Sequence, residues 1–307
     1  MLRFLSERGY GKRDSHCSIV DGMVVGMSRE DRMNSSEEIH LVDTHVHLDA
    51  PVFTDDCDAV IGRARELGVT RMITIGSGYG IESAERAIAI AERYPESVWC
   101  SVGVHPLDAS LPHTDELLSA LEERARHPRV VAIGEAGIDL HWNKDPLPIQ
   151  ERWFIDQIQL ARRVRKPLII HSREAGERCI ELLREYGADE VGGVFHCFAE
   201  DASFAMRLRD LNFLVSFTGV LTFKKAELTR SIAASIPLSQ IMVETDGPYM
   251  APEPHRGKRC EPAFTRYTAE CLAATHRVSL EELAAVTSRN AERLFGIPSL
   301  KADEARN

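Results

Sequence analysis

The sequence lacks several features that would place it in a class at once. No Cys-x-x-Cys pair occurs; the seven cysteines (Cys17, Cys57, Cys100, Cys179, Cys197, Cys260 and Cys271) are scattered and odd in number. That argues against a disulfide framework or a zinc ribbon and for reduced thiols in a cytoplasmic protein. There is no Gly-x-Gly-x-x-Gly turn, which disfavours a dinucleotide-binding open sheet. Nothing approaches the run of about 20 apolar residues that a membrane-spanning helix needs. The stretch Ile19 to Met27 is broken by Asp21 and Gly22, and no secretory h-region is visible, so a soluble protein is expected. A basic surplus is also missing. The formal charge of −10 argues against wrapping nucleic acid by bulk electrostatics, while leaving room for a local basic groove or for divalent cations that supply the positive charge. With 44% hydrophobic and 27% charged residues and no excess of Pro, Gly or aromatics, disorder over most of the chain is excluded.

What is present is an alternating pattern over most of the 307 residues. Residues 1–38 mix charges, Ser and Gly without periodicity and are expected to be a flexible extension. Met27 and Met33 near its end are consistent with an over-long start assignment, and His16 and Cys17 are expected to be inert. From Ile39 onward, short β-branched runs alternate with amphipathic stretches. The predicted strands are Leu41–Asp43, Arg71–Ile75, Val98–Val102, Val130–Ile133, Pro167–Ile170, Gly193–Phe195, Phe213–Ser216 and Ile241–Val243. Helices are predicted at Asp56–Leu67, Ile81–Arg93, Asp115–Arg126, Ile149–Arg165, Glu174–Tyr186, Thr265–His276 and Ser279–Phe295. Eight strands, each followed by a helix or helical turn, is the count of a (β/α)8 TIM barrel, here a single domain over residues 39–298 with a tail at 299–307.

The strand ends carry the chemistry. His45 and His47 follow the first strand, Glu135 the fourth, His171 the fifth, His196 the sixth and Asp246 the eighth. In a barrel all of these open onto the C-terminal face, where such folds keep their active sites. His45 and His47 stand two apart on an extended segment and so point the same way. Any one of them has a bland explanation: a hydrogen-bonded strand-end histidine, a turn at Asp246-Gly247-Pro248, a loop residue at Glu135. Six imidazoles and carboxylates converging on one mouth would be very unfavourable without a cation, so a metal site is expected.

These residues lie in blocks that resemble the TatD family of metal-dependent deoxyribonucleases. The blocks are Asp43-Thr44-His45-Val46-His47-Leu48-Asp49, Gly103-Val104-His105-Pro106, Gly134-Glu135-Ala136-Gly137-Ile138-Asp139, His171-Ser172-Arg173-Glu174-Ala175, His196-Cys197-Phe198 and Glu244-Thr245-Asp246-Gly247-Pro248-Tyr249. Six blocks in order, from Ile39 to about Pro298, make the resemblance specific where His-x-His alone would not be. It implies two divalent metal ions: one on His45, His47, Glu135 and Asp246, the second on Glu135, His171 and His196, with Glu135 shared. Such a pair activates water and stabilises phosphate charge. Asp246 and Glu135 are then the catalytic carboxylates, with Asp246 either orienting or deprotonating the water or serving purely as a ligand. The histidine-rich set favours Zn²⁺ or Mn²⁺, with Mg²⁺ also used by enzymes of this sort. Three departures stand out: Cys260 where the family usually has Asn before Glu-Pro, putting a substrate-loop contact in question; Gly247 after the acid; and an N-terminal extension without counterpart.

Candidate substrate-binding residues are Arg173, a phosphate fork or else a salt-bridge partner of Glu174; His105; and Tyr249. His141, Trp142 and Phe198 could stack on bases or pack in the core, and the basic loop His255–Arg259 lies near the expected mouth. The run Arg162–Lys166 ends an outer helix and is expected to complement its dipole. The leading expectation is a nuclease acting on DNA from a single-stranded or frayed end. A monomer is compatible with the sequence, and no membrane partner is expected. The alternative is an ester, amide or lactone hydrolase, including an aminoacyl-tRNA deacylase, on the same metal centre. A third reading, a binding barrel without catalysis, is disfavoured by the intact ligand set.

Overall fold

The computed structural model describes residues 39–142 and 145–299. The calls on the extension (1–38) and on the tail beyond Ser299 lie outside the described residues. Eight strands form one parallel sheet in chain order: β1 (Leu41–Val46), β2 (Val69–Gly76), β3 (Val98–Val102), β4 (Val130–Asp139), β5 (Leu168–Arg173), β6 (Gly193–Phe195), β7 (Phe213–Phe217) and β8 (Ile241–Val243). Around them run α1 (Cys57–Glu66), α2 (Ser83–Arg93), α3 (Asp115–Ala125), α4 (Leu147–Val164), α5 (Gly176–Glu185), α6 (Ala202–Arg209), α7 (Glu227–Ser235), α8 (Thr265–His276) and α9 (Leu280–Phe295). The sheet closes where Val46 pairs with Gly247, giving the (β/α)8 barrel that the alternation predicts.

Parallel strands covered on both faces are apolar throughout. Val42, Ile73, Trp99, Val131, Ile169, Val194 and Met242 fill the barrel interior, closed at one end by Ala291, Phe295 and Ile297. The alternate residues, such as Leu41, Met72, Val130, Leu168 and Phe195, pack outward against the helices. The closed end is pinned by the buried Arg71 guanidinium, which contacts Glu292 and the carbonyl of Pro298 and lies 5.8 Å over the Trp99 ring.

Three strands run on past their predicted apolar runs into polar residues. In β4 and β5 the ladder continues through Gly137↔His171 and Asp139↔Arg173, so Glu135 and His171 sit within strands rather than past their ends. Polar residues there face the barrel mouth while Ala136 and Ile138 pack outward, so apolar content alone understates strand length. β1 likewise includes Thr44–Val46. A register shift between Asp43 and Val46 re-aims it: Val42 lies inside the barrel, yet Val46, an even number of residues on, packs outside. The shift turns His45 and His47, which flank Val46, to the inside. A second shift, between Ile133 and Ala136, does the same for Glu135.

Candidate metal centre and active site

The seam between the first and last strands is tied by side chains as well as backbone. The buried Asp43 carboxylate accepts from the Thr245 amide (3.0 Å), the Thr245 hydroxyl (2.6 Å) and the His45 amide (3.3 Å). The Thr44 hydroxyl donates to the Val243 carbonyl (3.1 Å), the Asp246 amide to the His45 carbonyl (2.9 Å) and the His47 amide to the Gly247 carbonyl (2.8 Å). Asp246 itself adopts a left-handed conformation, φ +56°, which an acid tolerates better than most residues and which such a functional turn retains.

Glu135 is the hub. Its Oε2 lies 3.3 Å from His45 Nε2 and 3.7 Å from His47 Nε2, and these two nitrogens lie 3.6 and 3.7 Å from Asp246 Oδ1. Its Oε1 faces a different set: His196 Nε2 at 2.6 Å, His171 Nδ1 at 2.8 Å and His105 Nε2 at 3.3 Å. Ligand-capable atoms converge within 4.8 Å in three groups: His45, His47 and Asp246; His45, Glu135 and His196; His105, Glu135 and His171. All six sequence-predicted ligands therefore meet, and a seventh polar group, His105, joins them.

Neighbouring groups sort these histidines into lone-pair and proton donors. His171 Nε2 lies 2.9 Å from Asp139 Oδ2, so in the neutral ring Nε2–H donates to that carboxylate and leaves the Nδ1 lone pair facing Glu135. His105 is the converse. Its Nδ1 accepts from the Leu107 amide (3.0 Å), so in the neutral ring Nε2 carries the hydrogen and points it at Glu135. Behind His196, Glu244 Oε1 stands 3.5 Å from Nδ1 and is fixed by the Cys197 amide (2.7 Å), while its Oε2 accepts from the Ser216 hydroxyl (2.5 Å).

The protein charges alone balance poorly. Burial pushes Asp246 up to about 8, with repulsion from Glu135 and Glu244 adding to it. Burial and the neighbouring His45 push His47 down to about 3. Burial also opposes charge on His196, but Glu135 and Glu244 hold it well above the usual imidazole range. Glu135 is pushed up by burial and pulled well below the carboxylate range by His196, His105 and His45. Both ring nitrogens of His45, and Nδ1 of His47 and of His196, are buried without a hydrogen-bond partner. Of these, His45 Nε2 faces the oxygens of Glu135 and Asp246, and a buried imidazole nitrogen left unpaired beside anionic oxygens, within a cluster of converging ligand-capable atoms, is a donor set that fits a divalent cation.

The expected substrate groups fare unevenly. Arg173 ends β5 with its side chain exposed; Glu174 pairs with His141 instead (2.7 Å). Tyr249 is 50% exposed beside His47, ring centroids 6.3 Å apart. Its hydroxyl meets that of Tyr79 at 2.6 Å, a residue the sequence reading missed. The signal was an aromatic between Gly78 and Gly80 just after β2, both glycines at positive φ. Trp142 is 69% exposed, whereas Phe198 is a core residue packed against Phe204 and Phe217. In the basic loop, Arg259 forms a two-point pair with Asp56 (2.9 and 2.6 Å) and rests on Phe53, and His255 stacks on Phe264. Both are occupied in holding the loop to the barrel. Cys260 is fully buried, its thiol 3.9 Å from the Thr245 carbonyl, so this departure sits in packing beneath Asp246. Lys166 caps α3 by donating to the carbonyls of Ala125 and His127.

Comparison with known proteins agrees with the geometry. The chain is 41% identical over 257 residues to the metal-dependent hydrolase YabD of Bacillus subtilis (strain 168), covering 84% of this chain and 99% of that one. It is 34% identical over 260 residues to the 3'-5' ssDNA/RNA exonuclease TatD of Musicola paradisiaca (strain Ech703), covering 83% and 97%. The crystal structure of YJJV, a TatD homologue from Escherichia coli K12, superposes with a TM-score of 0.77 at 30% identity, covering 84% and 98%. The profile described as TatD related DNase spans residues 42–296, which places every converging side chain inside the matched region, and the chain belongs to this family of metal-dependent hydrolases.

Proposed function

We propose that the chain hydrolyses phosphodiester bonds of DNA from an end of a single strand, using two divalent cations. His45, His47, Asp246 and Glu135 would hold one; Glu135, His171 and His196 would hold the other. The observation that carries this reading is the split of Glu135, whose two oxygens face two separate donor groups. Bound there, the cations would activate water and offset charge on the phosphate and the leaving oxygen.

The chain's own residues supply the rest. Asp246, fixed by the β1–β8 seam, orients the attacking water and takes its proton. His105, its tautomer set by the Leu107 amide, points its N–H at Glu135 Oε1, where an incoming phosphate oxygen can share it. Arg173 offers a guanidinium fork at the rim, and Tyr249 with Tyr79 a polar-tipped aromatic edge beside His47. A single-stranded end suits this mouth because the metal ligands are buried and a duplex would meet the surrounding loops first. The histidine-rich donor set favours Zn²⁺ or Mn²⁺ over Mg²⁺. A DNA substrate also accords with the exonuclease named among the relatives. No helix among the described residues is long and apolar enough to cross a membrane. The six described cysteines are unpaired, which suits the reducing cytoplasm.

The test incubates purified protein with end-labelled single-stranded oligonucleotide and Mg²⁺, Mn²⁺ or Zn²⁺, beside carboxylester and aminoacyl-tRNA substrates. Stepwise release of mononucleotides is expected. Hydrolysis of the carbonyl substrates alone would remove the nuclease reading.

A further inference from the structure

Next to the metal ligands lies a cavity of about 150 Å³ between the loops that follow β5, β6, β7 and β8. Its walls are mainly apolar: Phe198, Phe217, Val220, Leu221, Ile232 and Met250. Two of its residues connect it to the candidate centre. Cys197 follows His196 and sends its amide to Glu244, while its thiol touches Met250 Sδ at 3.4 Å. Arg173, two residues from His171, lines it with an exposed side chain that has no hydrogen-bond or ionic partner among the described residues.

We propose that this cavity is a subsite for a single-ring nucleobase, so that pyrimidine nucleotides leave a DNA end faster than purine nucleotides. The proposal rests on the nuclease reading. Size selects the ring, since an apolar cavity of about 150 Å³ holds one benzene. A fused two-ring base would have to displace Phe217 or Leu221 from close-packed surroundings. Charge selects the orientation. Glu200 on the wall repels a phosphate and accepts from a base N–H, whereas Arg173 attracts the phosphate outside. A nucleotide so placed has its base among apolar side chains and its phosphate toward Arg173 and the proposed metal centre.

The experiment measures kcat/KM for release of the terminal nucleotide from oligonucleotides identical except for their end: T, C, A, G or an abasic residue. Wild-type enzyme is expected to favour T and C by about tenfold over A, G and the abasic end, the discrimination a shaped apolar pocket gives. Ala199 lines the cavity but is exposed, so Ala199→Phe fills the space without entering the core. It is expected to bring the T and C rates down to the level of the abasic end. Equal rates on all five ends, or an A199F enzyme that keeps the pyrimidine advantage, overturns the subsite and leaves the nuclease standing. No release from any end overturns the nuclease reading and the subsite with it.

Discussion

Replacing Asp139 by Asn tests the proposal that a proton held on Nε2 frees His171 Nδ1 to ligate a cation. Asp139 is fully buried, and its two oxygens have different duties: Oδ1 accepts from the amides of His141 (2.9 Å) and Trp142 (2.5 Å), and Oδ2 from His171 Nε2 (2.9 Å). In the variant the single amide oxygen is needed by the two backbone amides, so the NH₂ group faces His171. A donor there forces Nε2 to accept, and the ring proton moves to Nδ1, 2.8 Å from Glu135 Oε1, where it donates to the carboxylate. The lone pair is lost while volume and hydrogen-bond count are kept. Outer carboxylates of this kind contribute about 10–100-fold in metal affinity or activity, about 1.4–2.8 kcal/mol. Calorimetric titration of chelated protein with Zn²⁺ or Mn²⁺, with elemental analysis of the dialysed product, is the assay. One equivalent should weaken by that factor while the one on His45, His47 and Asp246 is retained, with an unchanged circular-dichroism spectrum. Two wild-type affinities in D139N would refute the tautomer argument and His171 as a ligand with it.

Two further outcomes follow from the same site. Asp246→Ala should lower kcat by about 10²–10⁴-fold, the range for a general base, while melting remains cooperative; wild-type turnover would exclude the acid from the reaction. In chelated protein, Asp43 and Asp246 hold protons up to about pH 7 and about pH 8 because of burial, whereas the unfolded chain releases them near 3.8. Their contribution is full below that ordinary value and is lost as pH rises through the folded values, so Tm should fall between pH 6.5 and 8.5. His196, held protonated above its usual range, acts in the same direction, and His45 and His47, both shifted down, titrate below this window. Saturating cation should suppress the fall; a chelated protein whose Tm is flat across this range contradicts the assigned burial.

The barrel was legible because eight β-branched runs separated by amphipathic segments permit few other folds, and the converging side chains because His, Glu and Asp recur where those runs end. The register shifts that aim them were not legible: β1 and β4 change face through backbone geometry that no residue type announces. Two helices, α6 and α7, were not named. α6 has only eight residues and α7 nine, the latter without a side-chain cap, so each offers little more than two turns in which a helical repeat can show itself. His105 was ambiguous because its role depends on which nitrogen meets a backbone amide two residues away. Arg259 shows the limit of counting charge, since a basic loop looks like a phosphate site until its arginine is seen held by Asp56.

The pairing of Val46 with Gly247 has a bearing on when the enzyme can work. One cation's proposed ligands come from both edges of the seam, some two hundred residues apart along the chain. A nascent chain on the ribosome, or a fragment cut before Ile241, would carry His45 and His47 without their partner acid. Hydrolytic power then waits until the strand that leads to Asp246 has been made and the seam has closed.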